Sequence, residues 1–215
     1  SGFSQQGQLT GSGDVTVTDS MLWEAGELTG TGKLEIPAKT TLTIDGYGSL
    51  GESRVIDLSG NLILQDKSTL QMRDDTRLNV LPGALVDIRA NSNGIRRENG
   101  NTPATIDNRG LVQKTGGGRS SITTFFNNSG SVQVDTGVLD IGGGGSSTGD
   151  FSINTGGELV FSPTGVQFVF GRNYDVNLGP EDALTGTGQV WVTTGLTVDG
   201  EGTFDVDSLV LQGGV

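Results

Sequence analysis

Apolar and polar residues alternate along this chain in runs of four or five positions. Gly60-Asn61-Leu62-Ile63-Leu64, Ser68-Thr69-Leu70-Gln71-Met72 and Thr76-Arg77-Leu78-Asn79-Val80 are typical. A period of two is that of a half-buried β-strand, and no segment keeps the 3.6-residue spacing of an amphipathic helix. Leu62, Leu70 and Leu78 stand 8 residues apart, which combines a strand of about four or five residues with a turn of about three. Glycine and asparagine fall between the runs, where tight turns call for positive φ. The pattern predicts short strands throughout and no helices.

Longer phrases repeat on top of this unit. Leu9-Thr10-Gly11-Ser12-Gly13-Asp14-Val15-Thr16-Val17 recurs as Leu28-Thr29-Gly30-Thr31-Gly32-Lys33-Leu34-Glu35-Ile36, 19 positions on, and again from Leu184 to Val192. Thr41 to Gly46 is answered in the same way by Gly195 to Gly200. Ile106-Asp107-Asn108-Arg109-Gly110-Leu111-Val112-Gln113 is matched by Phe126-Asn127-Asn128-Ser129-Gly130-Ser131-Val132-Gln133 at an offset of 20, and Leu139 to Leu159 repeats that interval. A fixed interval near 20 built from two or three strand units is the signature of a solenoid. The expected fold is all-β, a right-handed parallel β-helix of about ten irregular coils forming one domain over residues 1–215. Handedness follows from the bias of parallel crossovers. At about 4.8 Å per coil the stack would be a rod about 50 Å long.

Composition fits this picture. Only 33% of residues are hydrophobic while 37 of 215 are glycine, so the core is a narrow column of Leu, Val, Ile and Phe. The regular spacing of those residues separates the chain from a disordered one. A net charge of −12 argues against a nucleic-acid groove or an anionic membrane surface as partner. No apolar run reaches the ~20 residues of a membrane span. With no histidine and no cysteine, the Ser-His nucleophile pair and ordinary zinc sites are excluded, and no metal is expected. No phosphate-binding loop or dinucleotide fingerprint accompanies the Gly-x-Gly phrases, so no cofactor is expected and no catalytic residue is assigned.

The repeat breaks from Arg89 to Thr105, a stretch dense in asparagine and glycine. It is read as a loop projecting from one face, because solenoids carry binding function on such insertions. Arg89, Asn91, Asn93, Arg96, Arg97 and Glu98 are its candidate ligand-binding residues. Gly142 to Gly149 and Gly171 to Asp182 read as turns. Asp74 and Asp75 with Arg73 and Arg77 form a charged cluster on a predicted strand edge. Neighbours on a strand point to opposite faces, however, which suits a solvated turn better than a carboxylate pair. Gly11 to Val15 has the glycine-aspartate flavour of calcium-binding β-rolls, but Lys33 and Gln189 replace Asp14 in the later copies. Thr16 with Thr18, Thr29 with Thr31 and Thr41 with Thr43 could suggest an ice-binding face, yet β propensity accounts for them. Asn127-Asn128-Ser129 is a formal glycosylation sequon in an Asn-rich turn.

Taken together, these phrases, with Gly149-Asp150-Phe151-Ser152-Ile153 and Gly157-Glu158-Leu159-Val160-Phe161, resemble those of autotransporter passenger domains and filamentous-haemagglutinin-like adhesins. The resemblance covers Leu9 to Gly213. It implies a segment of a longer extracellular or cell-surface chain, a non-catalytic structural or adhesive module whose partner is a surface glycan or protein receptor. The alternative is a carbohydrate-active β-helix enzyme of lyase or hydrolase type using Asp and Arg. An ice-binding solenoid is the third reading.

Overall fold

The computed structural model describes residues 3–98, 102–162, 174–193 and 196–212. Among them there is no helix, and every strand pairing is parallel. The strands stack as a β-solenoid of about nine coils, close to the ten expected. Each coil has three sides. The fourth is the plainest: Asn61–Leu64 lies on the first face, Thr69–Met72 on the second and Arg77–Val80 on the third. Leu62, Leu70 and Leu78 therefore point inward from three different walls, and their interval of 8 is one side of a triangle. The first two faces join into one sheet through strands that run round the corner, Ser20–Leu28, Thr41–Leu50, Ala183–Val192 and Thr203–Leu211. Among the described residues the third face is a separate nine-stranded sheet.

Parallel register places like on like. On the first face Leu42, Leu62, Val86, Val112, Val132, Phe151 and Leu184 form one inward column. On the third, Leu34, Ile56, Leu78, Ile106 and Phe126 form another. These side chains are almost wholly buried, each worth about 1.5–3 kcal/mol of transfer from water. The third-face column continues through Gly145 to Tyr174. Because Gly145 brings no side chain, the Phe126 and Tyr174 rings close across the gap to a centroid distance of 6.4 Å. A Cβ at Gly145, whose φ is 130°, would overlap the Phe126 carbonyl.

The repeated phrases have different fates. Ile106 to Gln113 stacks directly on Phe126 to Gln133, and Leu139 on Leu159. The first two Leu-Thr-Gly-x-Gly copies also stack, at the corner from the second face to the third, with Val15 beside Leu34. Their glycines leave a channel filled by Arg54, which is 2% exposed. Its guanidinium donates to Gly11 O at 3.0 Å, Gly13 O at 3.3 Å and Thr29 O at 2.5 Å. Burial lowers the pKa of Arg54. The third copy does not join this stack. Leu184 lies over Phe151 on the first face and Val190 over Leu159 on the second, so the same phrase turns a different corner. Thr41 to Gly46 and Leu196–Gly200 likewise lie on different faces. A glycine-rich phrase specifies a turn, and the register of the whole stack decides which turn it becomes.

The break from Arg89 to Thr105 is less of a loop than its composition suggests. Gly94–Arg97 is a strand in the second face, with Ile95 beside Leu70 and Ile122. Buried Ile95 anchors it, with buried Ala90 just before it, where strands on both sides supply the hydrogen bonds. Residues 99–101 lie outside the described residues. Gly142 to Gly149, expected as a turn, also contains a strand, Gly145–Ser147, and so does Gly171 to Asp182, in which Tyr174–Leu178 is a strand and 171–173 lie outside the described residues.

Candidate functional site

The candidate residues from the break divide between two places. Arg89, Asn91 and Asn93 lie at the corner between the first and second faces, and each is tied to a neighbouring coil or to its own strand. Arg89 Nε donates to Asp87 Oδ2 at 2.6 Å, and Thr115 Oγ1 donates to Asp87 Oδ1 at 2.5 Å. Asn91 Nδ2 donates to Asp66 Oδ1 at 3.0 Å while its Oδ1 accepts from Gly118 N at 2.8 Å. Asn93, with φ at 84°, donates to Lys67 O at 3.2 Å. Arg96, Arg97 and Glu98 belong to the second face. Glu98 accepts from Arg73 Nη1 at 3.1 Å and from Ser49 Oγ at 3.4 Å, and Arg97 N donates to Thr123 Oγ1 at 2.8 Å. Arg96 is exposed. Burial, then Glu98, raises the pKa of the Tyr47 phenol nearby.

Asp74 and Asp75 stand in the corner after Met72, both with positive φ, rather than on a strand edge. Arg73 lies 3.6 Å from both Glu27 and Asp74. Asp14 accepts from Lys33 N at 2.8 Å, and among the described residues no group of three His, Cys, Asp or Glu is arranged to hold a metal. Thr29 is 2% exposed and so is not part of an outward threonine array.

A concave site forms elsewhere, on the third face. A groove of about 330 Å³ runs past Asp107, Arg109, Asn127, Ser129, Ser146 and Thr148 over a floor of Asn108 and Asn128. That volume is at the lower end of ligand clefts. The register builds it. Asp107, Asn127 and Ser146 are successive members of one outward column, and Asn108, Asn128 and Ser147 are successive members of the inward column beside it. Arg109, Ser129 and Thr148 follow these at the corner and are exposed.

The floor is a buried polar ladder. Asn108 Nδ2 donates to Asn128 Oδ1 at 2.7 Å, and Asn128 Nδ2 donates to Ser147 Oγ at 3.0 Å. Asn108 Oδ1 accepts from Gly110 N at 3.1 Å, which fixes the turn into the next side. Every rung is satisfied, so the floor is rigid where a half-paired network would not be. Asn127 Nδ2 donates to Asp107 Oδ1 at 2.9 Å, and Arg77 Nη1 lies 3.5 Å from Asp107 Oδ2. Two coils upstream in the same column, burial raises the Asp57 pKa, but hydrogen bonds from Asn79 and Lys33 outweigh it and hold the carboxyl below its ordinary value. The charge of Arg109 contributes to that lowering. The groove thus offers a fixed carboxylate, an amide, three hydroxyls and a guanidinium on a chain that is otherwise acidic.

The groove was not legible in the sequence, although six of its eight lining residues sit inside the second repeated phrase. The signal was the matched pair Asn108-Arg109 and Asn128-Ser129, one inward and one outward at the same phase of successive coils. No protein-family model, curated protein or solved structure matches this chain.

Proposed function

We propose that the protein is a non-catalytic structural or adhesive β-solenoid module of an extracellular or cell-surface protein, and that the groove on its third face takes a glycan. The groove carries the reading. Sugar hydroxyls both donate and accept, and its walls present carboxylate, amide, hydroxyl and guanidinium groups, among which the Asp107 carboxylate, the Asn127 amide and the Ser129 hydroxyl are held by coil-to-coil hydrogen bonds above the Asn108–Asn128 floor. Preorganised polar walls reduce the ordering cost of binding a flexible, strongly hydrated ligand. Acidity and the absence of cysteine suit a soluble surface module stabilised by stacking rather than by cross-links.

The test is calorimetric titration of the intact protein with a panel of neutral and uronic-acid oligosaccharides. Saturable binding that weakens in Arg109→Gln and leaves the sugars chemically intact is the expected result. Eliminative cleavage of a uronic-acid polysaccharide, lost in Asp74→Ala or Asp75→Ala, would replace this reading with the enzymatic one.

A further inference from the structure

The groove repeats along the solenoid axis, and its repeat length restricts what can lie in it. Each of the fifth, sixth and seventh coils contributes one residue to the inner wall and one to the outer. These pairs are Asp107 with Arg109, Asn127 with Ser129, and Ser146 with Thr148. Successive pairs are one strand spacing apart, about 4.8 Å. In the fourth coil the position equivalent to Arg109 is taken by Leu81, which follows Val80 as Arg109 follows Asn108.

A ligand that uses every pair must itself repeat at nearly this distance. An extended peptide advances about 3.3 Å per residue and presents alternate side chains every two, so it falls out of phase within the groove. A nucleic acid brings closely spaced phosphates to a chain of net charge −12. One pyranose unit of an extended β-1,4-linked chain is close to the coil spacing in length, and although successive units are turned over, each carries oxygens on both edges, so unlike a peptide side chain every unit can meet both walls. Charge distribution narrows the sugar further. The single guanidinium serves the fifth coil alone, while the sixth and seventh offer only hydroxyls and an amide, so a polymer with a carboxylate on every unit would meet no cation there.

Resting on the glycan reading above, we infer that the groove binds a neutral, linear β-1,4-linked glycan lying parallel to the solenoid axis, one sugar per coil across three coils. Each sugar gains its own donors and acceptors, so affinity grows with chain length until the groove is filled. Two net hydrogen bonds per added sugar correspond to about tenfold in affinity.

The experiment titrates the intact protein with cello-, xylo- and chito-oligosaccharides of one to six units. Expected for at least one series is a rise of about tenfold per unit up to three and a plateau beyond. The exposed end residues are then altered in Arg109→Gln and Thr148→Val, and the middle one in Ser129→Ala, with unchanged thermal melting as the check on folding. Each end variant should move the plateau one sugar shorter, whereas the middle variant should weaken trimer and hexamer equally. A monosaccharide that binds as tightly as the tetramer would overturn the axial arrangement while leaving the glycan reading intact. Length-dependent binding untouched by all three variants would place the glycan elsewhere and overturn the inference. Failure of every oligosaccharide in this experiment and in the wider panel would remove both.

Discussion

Lys114 occupies a core position, and the consequence can be measured. It stands in the inward first-face column between Ile88 and Val134, with no exposed surface. Its Nζ donates to Ala90 O at 3.0 Å and to Gly116 O. Burial pushes its pKa down to about 8, only partly countered by Asp87 in the adjoining coil. Below that value the folded state carries a desolvated cation. Between about 8 and the ordinary 10.5 the unfolded chain binds more protons than the folded one, so stability rises with pH in this window. At 1.36 kcal/mol per pH unit the full relief is about 3 kcal/mol, of which about 2 kcal/mol is realised by pH 9.5, still below the ordinary tyrosine pKa of about 10. Urea unfolding at pH 7.0, 8.0, 9.0 and 9.5 should show the wild-type midpoint climbing by about 0.7 M, taking a slope of about 3 kcal/mol/M. Lys114→Met keeps the length of the side chain and removes the charge, so its midpoint should stay flat over the same range. If wild type and variant respond to pH in parallel, the lysine is not a buried cation and the argument fails.

Two further outcomes follow from the packing. Arg54→Met should cost about 3 kcal/mol or more, because the carbonyls of Gly11, Gly13 and Thr29 lose their donor inside a closed corner. Thermal melting would show it, and Arg54→Lys should recover only part, since a point charge cannot span three carbonyls. Gly145→Ala should prevent stable folding or cost more than about 3 kcal/mol, through both its φ and the overlap with Phe126 O. Ser146→Ala next to it, on the outer surface, should change melting by no more than about 0.5 kcal/mol equivalent.

The strand period of two and the interval near 20 were legible in the sequence because both are local consequences of backbone geometry. Alternation reports a strand with one wet face, and a repeated turn reports a coil. From these alone come the all-β class, the stacked parallel strands and the inward identity of Leu62, Leu70, Leu78 and Val112. What the sequence could not settle was which residues become neighbours across coils. Coil length varies, from 18 positions between Phe3 and Met21 to 33 between Phe151 and Leu184, so identical phrases fall on different corners. Hence the Leu184 copy left the Arg54 channel to the first two copies, and Gly94–Arg97 joined a sheet although its composition suggests a loop. The groove is the clearest case. Asp107, Asn127 and Ser146 are 19 or 20 positions apart and become one wall only when register brings them to one strand spacing. Recognition chemistry on a solenoid runs across the chain, and only the tertiary stack determines that direction.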